Sequence, residues 1–134
     1  MSTRCNVIIK DETKDKDDVI YVYHHCDGYP EGVGAELKYI MENRYTEAFL
    51  NRTSIAKLLC DYPSEYGPYE MTTDIHGDIE YLYVLTVLKD GTVKYQCIDV
   101  PFGEYNYETL ENCELVEECI LKPDDMPVKN DNEV

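Results

Sequence analysis

Apolar and polar residues alternate with a period of two near the start of the chain, change to three- and four-residue spacing from residue 33 to residue 59, and return to alternation after residue 69. Residues 3–10 read as a first strand with Cys5, Val7 and Ile9 on one face. The run Asp11-Glu-Thr-Lys-Asp-Lys-Asp-Asp18 is too charged to bury and reads as an exposed connection. Residues 19–24 are β-branched and aromatic, so a hairpin is the economical arrangement. In that second strand Val19, Tyr21, Tyr23 and His25 share one face, and Ile20, Val22 and His24 the other. Val33, Leu37, Ile40 and Met41 then predict a helix from Glu31, with Pro30 and Glu31 suited to its first turn. A second helix is expected from Thr46 through Ala48, Phe49, Ile55, Leu58 and Leu59, weakest at residues 51–54 and ended by Pro63 and Gly67-Pro68.

The second half returns to strands. Residues 69–73 are a short candidate, and His76-Gly77-Asp78 is a turn signal. Residues 79–88 carry Ile79, Tyr81, Tyr83, Leu85 and Val87 on one face and Leu82, Val84 and Leu88 on the other, which predicts a central strand. Lys89-Asp90-Gly91-Thr92 has the Asp-Gly hairpin signature, with residues 92–100 as the return strand. Residues 107–112 suggest a helical turn, residues 115–121 an edge strand or short helix, and residues 122–134 a mobile acidic tail. Strands, then helices, then strands again indicate an α+β fold. The expected architecture is a largely antiparallel sheet of about five strands with two helices on one face, as a single domain over residues 1–121.

Charge changes this picture more than any other compositional feature. The chain of 134 residues has 28 acidic and 12 basic side chains, a formal net charge of −16. Ten of the acidic groups, against two lysines, lie in residues 104–134. A phosphate backbone is repelled by such a field, so direct nucleic-acid binding is not expected and a basic protein partner is. The plainer reading of the same charge is solubility. Thirteen tyrosines carry nearly all the aromatic content, and their phenolic tips favour the core boundary. Six cysteines without C-x-x-C spacing follow no secretory leader, and no apolar run is long enough to span a bilayer. A reduced, cytoplasmic chain is therefore expected, with no membrane association.

The densest chemistry is Tyr23-His24-His25-Cys26-Asp27-Gly28-Tyr29-Pro30-Glu31-Gly32. His25-Cys26-Asp27 and His76-Gly77-Asp78 are both His-x-Asp, and each adjoins a strand end. If those ends meet, His25, Asp27, His76 and Asp78 form a ligand set suited to Zn, Mn or Fe, with Glu80 nearby. The competing reading is that both elements are turns, where Asp and Gly are expected for backbone reasons. No cofactor motif is present, so no cofactor is expected, a divalent metal being the one candidate. Cys26 is poorly placed for activation by its neighbours, because adjacent strand residues point apart. Gly28, Gly32 and Gly34 match neither phosphate-binding fingerprint and read as a strand-to-helix turn.

The start Ser2-Thr3-Arg4, the element His25-Cys26-Asp27-Gly28-Tyr29-Pro30-Glu31 and the element Gly77-Asp78-Ile79-Glu80-Tyr81 resemble a family of small uncharacterised proteins of bacteriophages and bacterial genomes. The resemblance implies a phage or mobile-element origin and carries no catalytic residue with it. The functional expectation is a small acidic protein that inhibits or modulates a host or defence protein by occupying its basic, nucleic-acid-binding surface. Glu104, Tyr105, Tyr107 and Glu108 are the expected acidic-aromatic contact residues, and His25, Asp27, Tyr29, Glu31, His76, Asp78 and Glu80 form a second candidate surface. The alternative is a small-molecule or nucleotide-binding protein, or a metal-dependent hydrolase, using the two His-x-Asp elements.

Overall fold

The computed structural model describes residues 3–12, 19–43, 52–75, 77–100 and 113–122, and the side chains of 52–54 are not among what it describes. The expectations for the charged connection, the helix start at Thr46, the helical turn at 107–112 and the tail from 123 onward fall outside these residues.

Strand β1 (Cys5–Asp11) pairs antiparallel with β2 (Ile20–His24), Val7 lying opposite Val22. A single π-helical turn (Pro30–Gly34) leads into helix α1 (Ala35–Asn43), and α2 spans Arg52–Asp61. Four further strands follow: β3 (Glu70–Thr72), β4 (Tyr81–Val87), β5 (Val93–Asp99) and β6 (Glu114–Leu121). They form one six-stranded sheet in the order β3-β2-β1-β4-β5-β6. The class is α+β as expected, with six strands rather than about five, because both the short 70–72 segment and the 114–121 segment pair into the sheet. Every pairing is antiparallel except β1 with β4, which run parallel from Cys5↔Tyr81 to Asp11↔Val87. A parallel pair needs a long crossover, and the helices lie within the connection that supplies it.

The helices cover one sheet face. Leu37, Ile40, Met41, Ile55 and Leu59 pack with Cys5, Val7, Ile9, Tyr83, Leu85, Tyr95 and Cys97. Each fully buried aliphatic side chain here contributes roughly 1.5–3 kcal/mol. A smaller cluster on the opposite face contains Ile8, Tyr23, Ile79, Leu82, Val84 and Val100. Ile79 belongs to this second cluster and not to the Tyr81 face, because β4 begins at Tyr81 and the preceding bend releases Ile79 from strand alternation.

Tyr21, Tyr62, Tyr66 and Tyr81 are half-buried, as a core-boundary position requires, but other tyrosines go deeper. Tyr23, Tyr83 and Tyr95 are 2%, 0% and 0% exposed. Burial is tolerated because each hydroxyl has a partner: Asp78 for Tyr23, the Gly28 carbonyl at 2.6 Å for Tyr83, and Glu117 at 3.1 Å for Tyr95. Among the described residues no helix is long and apolar enough to cross a membrane.

Candidate functional site

At the end of β2 the two histidines diverge, as strand alternation requires. His24 is fully buried on the helix side, its Nε2 2.9 Å from the Gly67 carbonyl and its ring edge-on to Tyr69 at 4.6 Å. His25 is exposed on the other side, stacked edge-on against Tyr23 at 4.7 Å and 3.6 Å from Glu70 Oε1. Beyond them the chain reverses at Asp27, whose φ of +55° is a left-handed conformation that aspartate accepts more readily than most residues. The Gly28 amide then donates to the Thr3 carbonyl at 2.9 Å, and the Val33 amide to the Asp27 carbonyl at 2.8 Å. A Cβ on Gly32 would stand 2.3 Å from the Asp27 carbonyl oxygen, so this junction closes only around glycine.

The residues singled out from the sequence take separate partners. Asp27 accepts from the Tyr29 hydroxyl at 2.8 Å, and this bond to a carboxylate raises the Tyr29 phenol above its ordinary range. Asp78 accepts from the Tyr23 hydroxyl at 3.1 Å and lies 3.3 Å from the Arg4 guanidinium. Burial, then the Asp78 carboxylate, pushes the Tyr23 hydroxyl up to about 12. Glu80 is held through its backbone, its amide donating to Arg4 and its carbonyl accepting from Val100. Glu31 is exposed, on a cleft of about 540 Å³ lined also by Pro30, Ala35, Lys38, Val116 and Glu117. His76, Glu104, Tyr105, Tyr107 and Glu108 lie outside the described residues. Among the described residues there is no group of three or more His, Cys, Asp and Glu side chains arranged to hold a metal ion. His25, Asp27 and Asp78 instead face Glu70, Tyr29 and Tyr23 with Arg4.

The more open surface is β6, at the outer edge of the sheet. Its pairing with β5 slips between Cys97 and Ile98, so that Glu117 sits opposite Cys97, Leu115 opposite Ile98, and Val116 is the extra residue of a bulge. On the helix side, Glu117 pairs with Lys38 and accepts from Tyr95, and its carboxylate raises the Lys38 ammonium. On the other side, Glu118 accepts from Gln96 at 2.9 Å and lies 3.8 Å from Lys94. Flanking these glutamates, Leu115, Val116 and Ile120 are 48%, 43% and 54% exposed. Large aliphatics so exposed on an edge strand, interleaved with acids, are suited to contact with another chain. Sequence reading left an edge strand or a short helix open here and did not count its aliphatics as a site. The available signal was Leu115, Val116 and Ile120 among glutamates, in a segment with no second apolar stripe to pair them.

Comparison with family models, curated proteins and solved structures finds no match to this chain.

Proposed function

We propose that this chain acts by binding, with the β6 edge as the contact surface and a protein with a basic, nucleic-acid-binding face as the partner. The observation that carries the reading is the exposure of Leu115, Val116 and Ile120 on an edge strand that also bears Glu114, Glu117 and Glu118. Aliphatic side chains would supply contact area, and the acidic field would steer a cationic partner and fix its orientation. A second copy of the chain is disfavoured as the occupant. Antiparallel pairing of β6 with itself sets glutamates against glutamates, and like charges directly opposed are destabilising. The phage resemblance would make the partner a host or defence protein, inhibited by occupation of its basic groove. The metal-dependent or nucleotide-binding alternative has less support, because His25, Asp27 and Asp78 are each engaged elsewhere.

Capture of partners from host lysate, with the intact chain as bait, tests the reading. The expected result is a basic protein retained at low salt, released as salt rises, and lost from Leu115→Lys with Ile120→Lys. Retention by that double variant, or loss through His25→Ala alone, would overturn it.

A further inference from the structure

A second concavity adjoins α1 and differs in chemistry from the cleft beside β6, being walled largely by phenols and carboxylates. Ala35, Glu36, Tyr39, Tyr62, Glu65 and Tyr66 line a cavity of about 340 Å³. Glu36 and Tyr39 are one helical turn apart on α1. Tyr62, Glu65 and Tyr66 come from the loop after α2, which is shaped by Tyr62 N–H donating to the Leu59 carbonyl and Tyr66 N–H donating to the Ser64 hydroxyl, both at 3.1 Å. None of the described lining residues is basic.

We infer that this pocket receives a cationic group on an alkyl stem, an alkylammonium, held by Tyr39, Tyr66 and the Glu36 carboxylate. Two independent features point there. Glu36 is only 9% exposed, and it accepts a hydrogen bond from the Tyr69 hydroxyl at 2.6 Å. Among the described residues no basic side chain pairs with it, and a buried carboxylate is costly unless a cation or further donors satisfy it. The walls, meanwhile, are tyrosines, whose negative ring faces attract a desolvated cation in the manner of aromatic cages. A volume at the small end of ligand pockets suits one ammonium head and not an extended ligand. Tyr39, 48% exposed, is the most open of the lining tyrosines.

The cation has two possible sources, a free alkylammonium or a lysine side chain of a bound protein, and both satisfy the same chemistry. The test is calorimetric titration of the intact chain with choline, with 3,3-dimethylbutan-1-ol as its uncharged isostere, and with Nα-acetyl-trimethyllysine amide. Saturable binding of choline or of the trimethyllysine derivative is expected, with the isostere at least about tenfold weaker. Preference for the lysine derivative identifies a protein side chain, and equal or better choline binding a free ligand. Tyr39→Ala, at an exposed position, should lower affinity about 5- to 30-fold with the circular dichroism spectrum unchanged. Glu36→Gln should lower it as well, and restoring charge with Glu36→Asp should recover part of the loss. Equal binding of choline and its isostere, or no binding of either cation, would overturn the inference. No protein partner enters this titration, so its outcome is separate from that of capture at β6.

Discussion

The junction after β2 and the edge strand β6 are built on opposite plans. At the junction a polar-dense sequence is closed in on itself: His24 on the Gly67 carbonyl, Tyr83 on the Gly28 carbonyl, Tyr29 on Asp27, and Gly28 and Gly32 packed against backbone carbonyls. At β6 an unremarkable alternation of acids and aliphatics is left open, with Leu115 and Ile120 about half exposed. Concentrated chemistry in a sequence therefore marks a demanding turn here, because histidine, aspartate and glycine are what a tight reversal with buried polar groups requires. Exposed aliphatics mark the surface to which we assign the proposed binding.

Raising the pH should break the closed region first and most completely. The Tyr23 hydroxyl titrates near 12 in the fold, against 10.0 ordinarily. Tyr69, Tyr83 and Tyr95 are shifted upward as well, chiefly by burial. Between the two values the folded chain keeps a proton that the unfolded chain gives up. The stabilisation is thus complete below the unfolded value and falls as pH rises from about 10 towards 12. Phenolate absorbance and circular dichroism should change together across that window, and Tyr23→Phe should soften the transition. Ionisation of all tyrosines without loss of structure would contradict the packing described.

Gly32→Ala should cost about 3 kcal/mol in urea unfolding, since its Cβ meets the Asp27 carbonyl oxygen at 2.3 Å and that oxygen is backbone, with little room to move. The histidines sharpen the contrast further. His24→Ala removes a buried ring and leaves the Gly67 carbonyl without its partner, for a loss of about 2 kcal/mol. His25→Ala removes an exposed contact with Glu70 and should change stability by less than about 0.5 kcal/mol. Comparable losses at the two positions would mean that they are not on opposite faces. The smallest effect on stability is expected at the edge. Leu115→Lys with Ile120→Lys should stay within about 0.5 kcal/mol of the parent while abolishing partner capture. A large destabilisation there would make β6 a packed strand and end the distinction.

Much of the fold was readable along the chain. Cys5, Val7 and Ile9 declare one face of β1, Asp90-Gly91 declares the β4–β5 turn, and the two apolar faces of residues 82–87 declare a central strand. These are local signals, set by side-chain period and turn chemistry over a few residues. The π-helical turn before α1 was not readable, since a three- and four-residue spacing reads as α-helix whether or not its first turn is widened. The candidate surfaces were legible only in part. The acids of β6 are plain in the composition, but their exposure depends on β6 taking the edge.

What the sequence by itself determined is the class of fold, the faces of its strands and the sign of its field, because each follows from the order of residues within a segment or from their sum. Tertiary structure alone decided that β1 runs parallel to β4, that Glu36 meets the Tyr69 hydroxyl 33 positions away, and that Asp27 and Asp78 take different partners. Those outcomes depend on which distant segments become neighbours, and no periodicity within one segment encodes its neighbour across the sheet. At the polar run after β2, chain order brought the reactive side chains together, and folding gave each of them something else to hold.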